Sequence, residues 1–287
     1  MGLSLRTIMP VVAATGLIAA SATSAVAAPA PGHGHATPPP AVRTHGMIKA
    51  SGVTLPRTVL PRLALRSTSQ SPEWSGYAAA ADSGKHVKSI TSNFTIPSLN
   101  CANSPDGSVM EHWAGLDGLN DNTSEQVGVV AFCNGGTPSY AAFYDMVPEP
   151  GAVFDGVNPG DAVKVSVTFT GSGYDLVLTD ITTGGVVVNT TQSCPPGSTC
   201  GNRSAEVITE DPGGGVAGGF DLADFGMVND TGAAVTAVGG KHGSLAALAG
   251  FWTSAKITMV DPANSPMAVP SALFGGKAFN TTWRTAT

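Results

Sequence analysis

From Trp74 to the C-terminus the chain runs in short stretches of alternating apolar and polar residues, each bounded by Gly, Pro, Asn or Asp. A two-residue period sends successive side chains to opposite faces and predicts strands. The expected strands are Ser75–Ala81, Val87–Ile96, Met110–Asp117, Gln126–Phe132, Ser139–Met146, Ala162–Thr170, Tyr174–Asp180, Val186–Thr191, Ala205–Glu210, Asp221–Met227, Lys256–Val260 and Lys277–Arg284. No amphipathic helical run of ten residues interrupts them. With 36 glycines in the whole chain, this pattern predicts one all-β domain over residues 71–287, a sandwich or barrel.

The densest group of carboxylates falls on Ala205–Asp211, A-E-V-I-T-E-D. On a strand, Glu206, Ile208 and Glu210 share one face, and Ala205, Val207 and Thr209 share the other. Two glutamates therefore lie on one side of a sheet, which on an outer face is ordinary solvation.

The N-terminal part is different in kind. Arg6, the apolar run Ile8–Ala20 and the small residues Ser24–Ala27 form a signal peptide over 1–27, with an apolar core too short to span a membrane. Residues 28–70 are rich in Pro and Ala, hold His33, His35 and His45, and show no period. They read as a disordered linker or a pro-segment, with one turn of helix possible at V-L-P-R-L-A-L-R. Residues 1–70 carry six Lys or Arg and no acid, so residues 71–287 hold the other eight bases against all twenty acids, a net charge of −12. That balance excludes nucleic acid and anionic membrane as partners, since both need a basic footprint. A cationic arm ahead of an acidic domain could instead lie across it as an inhibitor. The mature chain is expected to be a secreted, extracellular monomer.

Four cysteines in an exported chain indicate two disulfides. Cys194 and Cys200 flank a P-P-G-S-T loop and are the preferred pair, leaving Cys101 with Cys133, although three connectivities are possible. No C-x-x-C or H-E-x-x-H spacing exists, and His86, His112 and His242 are far apart, so no metal or cofactor is expected and these histidines read as surface or structural. A G-x-S-x-G elbow and a P-loop are absent. What remains is carboxylate and amide chemistry. Gln126, Gly128 and Val130 share a face of their strand, and a glycine beside Gln126 gives its two amide donors room.

Six motifs carry a resemblance: S-P-E-W-S-G-Y at 71–77, H-W-A-G-L-D-G at 112–118, E-Q-V-G-V at 125–129, S-Y-A-A-F-Y-D-M-V-P at 139–148, S-A-E-V-I-T-E-D at 204–211 and L-A-D-F-G at 222–226. In order and spacing the chain resembles the glutamic peptidases, also called eqolisins, in a bacterial-type secreted form. The resemblance implies two packed antiparallel sheets, a concanavalin-like sandwich with a concave substrate cleft, and acid-active endopeptidase chemistry on polypeptide substrates. It puts the catalytic pair on Gln126 and Glu210, with Trp113 lining the cleft, Asp117 and Asp145 as acidic neighbours, and Trp74 and Tyr144 as supporting residues. Asp145 stands where glutamate is common, Val207 where an aromatic residue is usual, Phe143 where tryptophan is frequent and Ala114 where a branched residue follows the tryptophan.

Two other readings fit the same strands: a β-sandwich glycosidase with paired carboxylates, or a carbohydrate-binding module without catalysis. Glycosidase carboxylates stand roughly 5–9 Å apart. Glu206 and Glu210 would be about 13 Å apart along one strand, so a partner such as Asp145 would be required.

Overall fold

The computed structural model describes residues 68–119, 121–212 and 219–287, and among them there is no helix. The signal peptide, the expected helical turn and all of 28–70 before Thr68 lie outside the described residues. Sixteen strands are present: β1 (Thr68–Ser71), β2 (Trp74–Ala81), β3 (Val87–Thr95), β4 (Val109–Asp117), β5 (Ser124–Asn134), β6 (Thr137–Val147), β7 (Glu149–Phe154), β8 (Ala162–Phe169), β9 (Tyr174–Asp180), β10 (Val186–Gln192), β11 (Ser204–Glu210), β12 (Met227–Ala237), β13 (His242–Gly243), β14 (Trp252–Val260), β15 (Pro266–Pro270) and β16 (Phe279–Trp283).

Hydrogen bonds join these strands into one continuous path, β10-β9-β8-β3-β12-β16-β15-β14-β2-β11-β4-β5-β6-β7, with β1 parallel to β14 and β13 beside β12. The expected pair of separate sheets is therefore replaced by a single, largely antiparallel sheet that bends over itself until it is nearly closed. The bend brings β8–β10 against β4–β6, and Val163, Val165, Leu176, Leu178 and Val188 meet Ala114, Leu116, Val127 and Val129 in one core. β9 buries every second residue, the signature of a strand with one wet face. β4 and β11 are buried along their whole length, and β5 along all but its last residue. The centre of the sheet is thus covered on both sides.

Two expected features differ. Of the expected strand Asp221–Met227, residues 221–226 are irregular apart from one bridge between Leu222 and Val109, because the Asp224 carboxylate collects the side-chain amides of Asn100 and Asn103 and the Gly226 N–H and turns the chain. The strand lies just downstream, as β12. It passes through Asn229, Asp230 and Gly232, residue types that strands avoid, and its register shifts between Thr231 and Ala234, where Gly232 has φ 65°. β1 begins before residue 71, where the domain was expected to start. Both preferred disulfides are formed, Cys101–Cys133 and Cys194–Cys200.

Candidate active site

Three rows of residues cross the middle of the sheet on the face away from the main core. Strand registers define them as Glu206–Gly115–Gln126–Asp145, then Ile208–Trp113–Gly128–Phe143, then Glu210–Glu111–Val130–Ala141. Trp74 extends the last row, opposite Glu210 on β2. The apolar members Trp113, Val130, Ala141, Phe143 and Ile208 form a second cluster with Leu119, Trp74 and Phe220.

The chain folds back over this face. It turns at Asp117 (φ 63°) and Gly118 (φ 100°) just past the end of β4, and a Cβ on Gly118 would lie 2.7 Å from Trp74 Cη2.

Glu210 and Gln126 are both buried on this face, at 5% and 2% exposure. In a flat sheet their Cα atoms would be separated by four residues along and two strands across, about 13 Å and 10 Å. Trp113 stands between them. Its indole N–H donates to Glu210 Oε2 at 2.7 Å, and its ring edge hangs over Gly115, where a Cβ would lie 2.9 Å from Trp113 Cζ3 and 3.2 Å from Gln126 Cβ. Trp74 packs edge-to-face on Trp113 at 5.2 Å. The space expected above Gly128 is taken by Trp113 itself, whose Cβ would lie 2.6 Å from a Cβ there. Gln126 Oε1 is buried with no hydrogen-bond partner among the described residues.

The supporting residues divide. Asp145 is buried directly opposite Gln126, and its Oδ1 accepts the N–H of Met146 at 2.9 Å. Asp117 is tied to the far end of β4, accepting the backbone N–H groups of Asn202 and Arg203 at 2.7 and 2.5 Å. Tyr144 is not brought to this face: it pairs with Val127, packs with the main core and lies 6.0 Å from the Phe154 ring. Strand alternation explains the difference, since Tyr144 follows Phe143 and precedes Asp145.

Burial governs the remaining acids. Glu206 is fully buried and its pKa is driven well above the ordinary range, chiefly by loss of water and further by the charges of Asp117, Asp121 and Glu125. Glu125, also fully buried, is pushed up to about 9 by desolvation and then by Asp117. Asp117 is raised to about 6 by desolvation, with its two backbone hydrogen bonds opposing. Burial thus favours the protonated form of Glu206, which lies in the row of Gln126 on the same face. Glu111, in register with Glu210 and 2% exposed, is a member of the face that the sequence pattern did not single out. The alternation of Val109, Glu111 and Trp113 along β4 was the available signal. Among the described residues no cluster of His, Cys, Asp and Glu could hold a metal ion.

The Peptidase A4 family profile matches residues 72–265, a span that contains Trp74, Trp113, Gln126 and Glu210. The chain belongs to the Peptidase A4 family. It is a glutamic endopeptidase. Aspergillopepsin-2 of Aspergillus niger is 29% identical over 205 residues, 63% of this chain and 71% of that protein. The aspergilloglutamic peptidase structure from the same organism aligns at 26% identity with a TM-score of 0.51, over 62% of this chain and 99% of that one. A scytalido-glutamic peptidase bound to a transition-state analogue inhibitor superposes with a TM-score of 0.61 at 22% identity, over 74% of this chain and 98% of that one, and shares the fold. Membership in this peptidase family decides against the glycosidase and sugar-binding readings.

Proposed function

We propose that this peptidase is a secreted, acid-active enzyme that cleaves peptide bonds with Glu210 as general base and Gln126 as oxyanion donor. The observation that carries the reading is the 2.7 Å bond from Trp113 to Glu210, on the same face as Gln126. Ionised Glu210 takes a proton from a water whose oxygen bonds to the carbonyl carbon. The carbonyl electron pair moves onto oxygen, where the Gln126 side-chain N–H donates, a contribution of about 3 kcal/mol if it resembles other single donors. The Glu210 carboxyl then returns the proton to nitrogen as the C–N bond breaks, releasing acid and amine. Because an ordinary glutamate titrates near about 4.3, such a base still works in acid where a histidine base is protonated.

Secretion is supported by the N-terminal signal pattern and the two disulfides. The uniformly basic segment 28–70 is read as an inhibitory pro-segment for a face carrying Glu111 and Glu210. The test is cleavage of a denatured protein at pH about 3–4, where a Glu base is partly ionised. Glu210→Gln and Gln126→Ala are each expected to abolish cleavage with circular dichroism unchanged, and a folded, active Glu210→Gln enzyme overturns the dyad. Comparing the chain from residue 28 with one starting at Thr68 tests the pro-segment, and equal activity would overturn inhibition.

A further inference from the structure

Behind the bond from Trp113 to Glu210, the same two strands carry a second bond on the opposite face. His112 and Thr209 immediately precede those two residues and are direct register partners on β4 and β11. His112 Nδ1 lies 2.9 Å from Thr209 Oγ1, and His112 Nε2 lies 3.1 Å from Asp230 Oδ1. The same Asp230 oxygen accepts from Ser92 Oγ at 3.1 Å. The Phe94 ring stands edge-to-face against His112 at 4.4 Å. All four polar side chains are buried. The line Thr209–His112–Asp230–Ser92 therefore runs from the back of the site strands, through the core, to β12 and β3 in the other half of the sheet.

By composition the line is a hydroxyl, an imidazole and a carboxylate in hydrolase order. Thr209 is completely buried and faces the core, so no substrate reaches its oxygen and it is not a nucleophile. Its chemistry is retention. A carboxylate only accepts, so His112 Nε2 carries a proton toward Asp230. In the neutral ring Nδ1 then accepts the Thr209 hydroxyl proton, and in the charged ring Nδ1–H donates to Thr209 Oγ1. Thr209 Oγ1 can thus serve the ring as donor or as acceptor, and the bond forms in either arrangement.

Glu210 is the last residue of β11, and strand ends are where local opening begins. We propose that His112 and Thr209 are positioning residues, clamping the backbone behind Trp113 and Glu210 so that the carboxylate stays beneath the indole. The inference rests on the reading of Glu210 as the base. The clamp acts through backbone placement, and displacements of about 1 Å at a reacting group can cost about a hundredfold in rate.

The decisive variant is Thr209→Val, which keeps the branched shape and removes the hydroxyl. At a temperature well below its unfolding midpoint it is expected to lose about tenfold in kcat with KM changed less than twofold. Thr209→Ser should recover kcat to within twofold. In a Trp113→Phe background, which lacks the indole donor to the carboxylate, the additional loss from Thr209→Val should shrink. Should Thr209→Val fail to fold, Asp230→Ala carries the same kcat and KM comparison, since it removes the acceptor that fixes the ring. Wild-type kcat in whichever folded variant is measured overturns the proposal, as does a Thr209→Ser enzyme no better than Thr209→Val. An active Glu210→Gln enzyme would instead overturn the dyad itself, so the two failures are distinguishable.

Discussion

The Trp113 indole and the Glu210 carboxylate, 97 residues apart in sequence, meet at 2.7 Å on the sheet face away from the main core. A hydrogen bond to an ionised group contributes about 1.5–3 kcal/mol, which corresponds to a factor of roughly ten to more than a hundred. Trp113→Phe keeps the apolar ring and deletes the donor. It is expected to lower kcat by that factor while the unfolding midpoint moves by only a few degrees. A kcat within twofold of wild type would mean that the bond does not serve catalysis.

The buried acids set the pH dependence of stability. Glu125 binds its proton up to about pH 9 in the folded chain against an ordinary value of 4.5, and Asp117 up to about 6 against 3.8. A raised acid pKa means that the folded state holds protons the unfolded chain has released. The associated stability is complete below about pH 4 and is lost as pH rises, between 3.8 and about 6 for Asp117 and between 4.5 and about 9 for Glu125. Within its window each group costs up to about 1.4 kcal/mol per pH unit. Thermal unfolding should show the highest midpoint at pH 3–4, a range set by these carboxyl values, and a steady fall above it. In Glu125→Gln that fall should be shallower above about pH 6.

Gly128 tests the packing beneath Trp113. A Cβ there would come 2.2 Å from the His112 carbonyl oxygen and 2.7 Å from Trp113 Cα, both backbone atoms of the neighbouring strand. Gly128→Ala must force β4 and β5 apart. A loss of about 3 kcal/mol or more is expected, in the range of severe overpacking, read as a drop in unfolding midpoint of about 6 °C or more.

The two disulfides should differ in value. Cys101–Cys133 closes a separation of 32 residues and Cys194–Cys200 one of 6. Loop-closure entropy assigns about 3.7 kcal/mol to the first and about 2.4 kcal/mol to the second. Chemical denaturation of the paired Cys→Ala variants is expected to rank them in that order.

The strands that could be read from sequence are those with clean alternation, such as β9, whose boundaries agree with the expected Tyr174–Asp180. β12 was hidden because its sequence through Asn229–Gly232 looks like a turn, and only pairing with β3 and β16 makes it a strand. The pairing of Glu210 with Glu111 and the link from His112 to Asp230 depend on which strands become neighbours, and local pattern carries no such information. Tyr144 was grouped with the site by its motif, whereas the period-two rule alone assigns it to the face opposite Gln126 and Asp145.

β11 lies between β2 and β4, hydrogen-bonded to both. It therefore joins its two neighbours although it is made long after both. Until residue 210 has been synthesised and inserted, β2 and β4 present open edges to each other, the Trp113 indole has no carboxylate to meet, and Gln126 faces an incomplete floor. Insertion of this one late strand closes the two edges that β2 and β4 turn toward each other. A chain ending before Ser204 would lack that strand, and its two exposed edges would invite pairing with other chains instead.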